Sequence, residues 1–331
     1  MKRIFPLLLS GVLITFVASQ IHRSYLLNDY SSVSSVEKVQ ILIEPGDTGN
    51  LIAQKLYEKG VIKATKVFYK IALNDRRAKS ISPGIHEIDL KISANSALTQ
   101  LLDIKRNRGV FGFNEGLRKA EVLDLLYKSK LVTGKLSSFL KPDAKYKTDN
   151  LEGFLFPAQY SFAPGTTVDN AITQMIDRFN IAAKNSKVDI GFNNFSPYEL
   201  VIIASILQAE GDPQDFTKIA RVIYNRLKLG MPLQMNTTVE YAANLRGKIR
   251  LPYKHLDINS RYNTYKFRGL PPGPIGNPGE AALNAAVNPA LGDWLYFVTV
   301  KPQETRFTKS YEQFVIWANE FKANEKAGLF K

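Results

Sequence analysis

SPYELVIIASILQAEG, residues 196–211, is the stretch whose reading decides the fold of the larger part of the chain. Ser196 and Glu199 stand three apart as a capping box with Pro197 at the first helical position, so a helix begins here. From Leu200 to Leu207 there is almost no polar break. A helix that is apolar all round belongs in the middle of a core. Gly211 is expected to end it as a left-handed C-terminal residue. Glu210 then falls on the last turn, where the negative end of the helix dipole and nearby apolar surface both oppose its ionisation. Its pKa should rise toward the range useful to a general acid at neutral pH. A carboxylate at a helix end that simply points into water is the commoner arrangement, so both readings stand at this point.

Working outward, a second helix is expected from Asp215 to Leu229, with Phe216, Ile219, Ala220, Ile223 and Leu227 on one face and Gly230 past its end. Ala171 to Phe179 has helical spacing as well. Residues 134–150 are polar and lysine-rich and read as a connection, which sets a larger domain at 151–331. Upstream, Val39, Ile41 and Ile43 alternate as a strand, followed by the turn Glu44-Pro45-Gly46-Asp47-Thr48 and a helix through Leu56. A similar order of strand, Glu-Gly turn and amphipathic helix recurs from Val110 to Leu126. Residues 38–133 therefore read as a small α+β subdomain with a weak internal repeat. Phe68 to Leu73 and Ala97 to Leu102 are expected to be helical, with a short strand around Ile85 to Ile88.

Of the 331 residues 45% are hydrophobic and 22% charged, a globular composition that excludes a wholly disordered chain or a polytopic membrane protein. Forty-four Lys and Arg against 30 Asp and Glu leave a formal charge of +14, which favours polyanionic counterparts. With no cysteine there is no disulfide and no thiolate chemistry, and the three histidines, His22, His86 and His255, lie far apart. A histidine-built zinc site is therefore not expected. The chemistry is left to carboxylates, hydroxyls and lysines.

Lys2 and Arg3 precede an uncharged apolar run from Ile4 to Ile21, close to the ~20 residues that span a bilayer and longer than the ~7–15 of a signal-peptide core. An uncleaved single-pass anchor is favoured over a signal peptide, with residues 1–25 as a cytoplasmic stub and transmembrane helix. The Ser-rich stretch 26–37 then reads as a tether. The N-terminal charge places the rest of the chain outside the cytoplasm, which removes nucleic acid as a partner. The expected fold is α+β: a membrane helix, a small α+β subdomain, and a larger mixed α/β domain with its acidic residue at a helix end.

Three stretches of the larger domain carry groups suited to sugar recognition: LQMNTTVEY at 233–241, YNTY at 262–265 and GLPPGPIGNPG at 269–279. Each alone is compatible with ordinary turn and core chemistry. Their order and combination say more. With LEGFLFPAQYSF at 151–162, IIASILQAEG at 202–211, VIYNRLKLGMPLQMNTTVEYA at 222–242, SRYNTYKFRGLPPGPIGNPG at 260–279, NPALGDWLYFV at 288–298 and FTKSYEQ at 307–313, the chain from 151 to 311 resembles the YceG-like (MltG-type) family of endolytic murein transglycosylases. The PGDT-containing subdomain is similar to a LysM unit, on far fewer residues.

The resemblance implies a membrane-anchored lyase that cleaves the β-1,4 bond from N-acetylmuramic acid to N-acetylglucosamine within peptidoglycan strands. It would leave 1,6-anhydromuramic ends and terminate nascent strands, with peptidoglycan synthases as the partners the resemblance implies, and it needs no cofactor. Glu210 takes the position of the family's general acid/base, and one carboxyl group suffices when the muramic C6 hydroxyl, not water, attacks C1. Candidate substrate contacts are Glu152, Asn225, Gln234, Asn236, Thr238, Tyr241, Tyr262, Asn263 and Tyr265. Glu152 either lines the cleft or anchors its motif, and Asn225, turned away from the apolar stripe, is a candidate to hold Glu210. Gln208 stands where many relatives have another acid. Asn236-Thr237 replaces the usual Asp-Pro, and Ala158-Gln159 replaces Asp-Thr, which argues against acidic helpers at those places. Two other readings remain: a non-catalytic peptidoglycan-binding scaffold and a hydrolytic muramidase.

Overall fold

The computed structural model describes residues 29–31, 37–246 and 253–330. The expected membrane segment 4–21 lies outside them, and among the described residues no helix is long and apolar enough to cross a bilayer. The chain divides into two compact units, one formed by residues up to Phe111 together with Gln159–Thr166, the other by Gly112–Ala158 and Thr167 onward.

In the first unit β1 (Lys38–Ile43) pairs antiparallel with β2 (Gly84–Asp89), Lys38 opposite Asp89 and Ile43 opposite Gly84. Between them run α1 (Gly49–Glu58), capped by Thr48 Oγ1 on Leu51 N, and α2 (Thr65–Asn74). The strand alternation turns Ile41 and Ile43 inward, onto Ile52, Leu56 and Phe68. Helix α3 (Ala94–Leu102), capped by Ser93, adds Ala97, Leu98 and Leu101 to this core. Lys55 clamps the β1–α1 turn through Asp47 at 2.6 Å and Glu44 at 3.2 Å. A second short pair, β3 (Val110–Gly112) with β4 (Gln159–Ser161), brings residues 159–166 back to this unit.

The division differs from the expected 38–133 span. Strand β3 and helix α4 (Lys119–Lys128) do follow the strand, turn and helix order of the repeat. From Gly112 on, however, the chain is bonded into the second unit: Gly116 N to Asn277 O, Lys119 N to Glu152 Oε1, Val168 N to Thr133 O. Local pattern cannot show such long-range bonds.

The second unit is built around α6 (Pro197–Glu210), with Ser196 and Glu199 forming the capping box. Leu200 to Leu207 are all buried, as an all-round apolar helix requires. Against it pack α7 (Phe216–Lys228), α8 (Asn236–Ala242) and α10 (Glu280–Val287), while α5 (Val168–Ser186) covers α10. A short α9 (Tyr253–Leu256) follows α8. The chain ends in a hairpin of β5 (Tyr296–Lys301) and β6 (Glu304–Thr308), with α11 (Tyr311–Lys326) lying on β5.

One expectation about the end of α6 is corrected. Gly211 is extended, φ −151° and ψ 177°, not left-handed. The glycine is required for another reason, since a Cβ there would run into Ile219 Cδ1 of the buried α7 face. Gly153, at φ +90°, does occupy a conformation that disfavours other residues, and a Cβ would lie 2.7 Å from Pro274. The EGF turn and the Pro/Gly loop are thus packed against each other.

Candidate active site

Glu210 is the last residue of α6, and the chain turns away at once through Gly211. Its Oε1 accepts two hydrogen bonds from one residue: Thr237 N at 3.0 Å and Thr237 Oγ1 at 2.6 Å. Helix α8 begins at Asn236, so its first turn presents these donors to the carboxyl group. No described hydrogen bond engages Oε2. Desolvation by the surrounding protein raises the Glu210 pKa above the ordinary carboxylate value; the Thr237 bonds pull it down and the nearby Glu240 carboxylate pushes it up. The balance lies on the raised side. Glu210 is thereby biased toward carrying a proton that it can deliver from Oε2.

The carboxyl group lines a cavity of about 530 Å³. Of the residues expected from the sequence, Gln234, Asn236 and Tyr265 line it too. Tyr265 donates to Asn236 Oδ1 at 2.6 Å. Burial and the Glu210 charge push the Tyr265 hydroxyl up to about 12, so it stays a neutral donor.

The other expected contacts are placed elsewhere. Glu152, 4% exposed, accepts from Lys119 N at 2.8 Å and from Tyr241 Oη at 3.0 Å. Of its two readings, this favours the anchor. Burial raises its pKa against those two bonds. The Tyr241 ring lies 4.8 Å from that of Tyr262, and burial pushes the Tyr262 hydroxyl up to about 12. Thr238 and Asn263 are fully buried: the first donates to Met235 O, and the second bonds Leu256 O, Ile258 O and Tyr265 N. They shape the loops that carry the cavity wall. Asn225 does not hold Glu210. It donates to Trp294 O at 2.9 Å and to Gly292 O, and it lines a separate cavity of about 970 Å³ with Phe195 and Tyr198. Gln208 accepts from Gly279 N at 3.0 Å, which ties α6 to the Pro/Gly loop.

Several groups escaped the sequence reading. Thr237 sits inside the quoted LQMNTTVEY stretch, and its departure from the Asp-Pro of the resembled pattern was the available signal, because proline has no N–H to donate. Arg226, nearly buried, donates to Leu295 O at 2.6 Å and Leu233 O at 2.7 Å and joins α7 to the hairpin. Tyr296, Tyr311 and Phe314 line the Glu210 cavity. Among the described residues no group of three or more His, Asp or Glu is arranged to hold a metal ion.

The chain is similar to known proteins in sequence and fold. The model of the YceG-like family matches residues 41–319. An endolytic murein transglycosylase of Bacillus subtilis (strain 168) is 33% identical over 303 residues, covering 83% of this chain and 82% of that protein. One from Streptococcus pneumoniae serotype 2 (strain D39 / NCTC 7466) is 38% identical over 160 residues, 47% of this chain and 28% of that protein. The 2.6 Å crystal structure of a yceG-like protein of Listeria monocytogenes superposes with a TM-score of 0.55 at 26% identity, covering 84% of this chain and 98% of that one.

Proposed function

Because the chain belongs to the YceG-like family, we propose that it is an endolytic peptidoglycan lytic transglycosylase with Glu210 as its general acid and base. The observation that carries the assignment is a single protonation-biased carboxyl group, held through one oxygen by Thr237 and belonging to a residue that lines a cavity.

The chemistry follows from that one group. Protonated Glu210 delivers its proton to the glycosidic oxygen as the bond to the muramic C1 breaks, so the leaving sugar departs as an alcohol. The resulting carboxylate then takes the proton of the muramic C6 hydroxyl while that oxygen bonds to C1. A 1,6-anhydro ring closes, no water is consumed, and Glu210 ends protonated as it began. A hydrolase would need a second carboxylate placed for water or for C1. Gln234, Asn236 and Tyr265 supply amide and hydroxyl groups for the sugars' N-acetyl and hydroxyl substituents.

The finer reading extends to the rest of the chain. The β–α–α–β order of residues 38–89, and a cavity of about 580 Å³ beside the Glu44–Thr48 turn, support a LysM-like glycan-holding unit. The run 4–21 supports a single-pass anchor with the N-terminus in the cytoplasm and the catalytic part outside it, where peptidoglycan synthases are the fitting neighbours.

Glu210→Gln tests the assignment. The variant keeps an acceptor for Thr237 but carries no titratable proton. Release of anhydromuramic ends from purified strands should fall by at least ~100-fold while glycan binding persists. Undiminished cleavage would remove Glu210 from the mechanism.

A further inference from the structure

A surface helix normally buries one apolar stripe. Helix α11 carries Tyr311, Phe314, Val315, Ile316, Trp317 and Phe321, yet none of its residues is buried. The hairpin beneath it is likewise only partly covered, with Val300 the one buried position of β5 and none in β6. Part of this uncovered surface faces the catalytic cavity. The rings of Tyr296 and Tyr311 lie 5.7 Å apart, Tyr296 and Phe314 5.2 Å, and Tyr311 and Phe314 6.0 Å, and all three line the cavity that Glu210 lines. Tyr296 is held in place by the Arg226 guanidinium 5.1 Å from its ring centroid, and Arg226 is itself fixed by backbone carbonyls.

We propose that Tyr296, Tyr311 and Phe314 form a pyranose-stacking subsite of the Glu210 cavity, where one sugar ring of a glycan strand covers the aromatic face. A pyranose presents an apolar C–H face with hydroxyls around its rim. The cluster offers apolar ring surface, the three rings tilted 29–58° to one another, with Gln234, Asn236 and Thr299 lining the same cavity. Asn236 Oδ1 already accepts from Tyr265 and the Thr299 hydroxyl is paired with that of Thr305, which leaves the Gln234 amide and the Asn236 amide nitrogen for the sugar's rim. Continuity with the Glu210 cavity, together with the partial exposure of the rings, points to a sugar of the substrate over a protein partner. The identity of the polymer rests on the transglycosylase reading.

The test uses the full chain with Glu210→Gln, so that strands bind without being cut, and purified glycan strands from which the peptide stems have been removed. Tyr311→Ala combined with Phe314→Ala should weaken binding about ten-fold, judged from the usual strength of aromatic contacts. Tyr311→Phe and Phe314→Tyr keep the rings and should bind within about two-fold. Tyr311 is 61% exposed, so Tyr311→Ala alone removes little packing and should still lose about three-fold. Unchanged affinity in the double alanine variant, or an equal loss in the ring-conserving variants, overturns the subsite. Failure of the two readings is distinguishable. Strands that bind through these rings, with no anhydro ends released by the unmodified chain, would sink the transglycosylase and leave the subsite. Efficient release together with indifferent alanine variants would do the reverse.

Discussion

At Glu210 two effects oppose each other, and Thr237 separates them. Burial favours the protonated carboxyl group, whereas the Thr237 N–H and hydroxyl favour the carboxylate. Removing the hydroxyl by Thr237→Val should raise the Glu210 pKa further. Because the first step needs the protonated form, the alkaline limb of kcat/KM should move to higher pH, while Thr237→Ser should leave it in place. A pH–rate profile for the three proteins decides this; an unmoved limb in Thr237→Val contradicts it. The same raised pKa has a consequence for stability. A carboxyl group whose pKa is higher in the folded state contributes fully below its unfolded value, ~4.3, and loses that contribution as pH rises through the folded value. Glu210→Gln should therefore gain stability over the unmodified chain as pH rises, with melting curves coinciding most closely near pH 4. A difference that shrinks with pH has the wrong sign. Glu152 is a different case. Its two acceptor bonds hold Lys119 N and Tyr241 Oη, so Glu152→Ala leaves both donors without that partner in a partly buried place and should cost about 1–3 kcal/mol. Denaturant titration should register the loss, and the wild-type pH limb of cleavage should be retained by the protein that remains folded.

Among the elements, the end of α6 and the loops packed on it set the geometry. Gly153 combines φ +90° with a Cβ direction 2.7 Å from Pro274, so Gly153→Ala should destabilise by about 2 kcal/mol or more in a chemical melt. No measurable change would mean that the EGF turn and the Pro/Gly loop are not packed as described. Helix α6 was legible from its letters: Ser196 and Glu199 mark the start, and the Leu200–Leu207 run marks the burial. What followed its last turn was not. A glycine after a helix usually signals a left-handed cap, but here it is selected by the approach of Ile219, a residue on another helix. Thr237 and Asn225 illustrate the same limit. Both are polar groups near a core helix, and only the tertiary fold brings the first to Glu210 and the second to the backbone of Gly292 and Trp294. The elements of the C-terminal hairpin and α11 went unread in the sequence, and nothing in the local pattern shows that Tyr311 and Phe314 reach the cavity that Glu210 lines.

For the whole molecule, the family match over residues 41–319 covers both compact units, and the +14 charge suits a protein working among anionic polymers. The expected anchor implies that a chain lacking residues 1–25 leaves the membrane fraction for the soluble one. A mature N-terminus found near Ser19 by sequencing would instead indicate a cleaved signal peptide. Both outcomes leave the chemistry at Glu210 unchanged. The central claim is that the muramic C6 hydroxyl, not water, attacks C1, and mass spectrometry of the ends made from purified glycan strands addresses it directly. The account predicts products whose new muramic ends carry no added water, the mass of a 1,6-anhydro ring, in the interior cuts of long strands. Ends heavier by one water would make the protein a muramidase and contradict it.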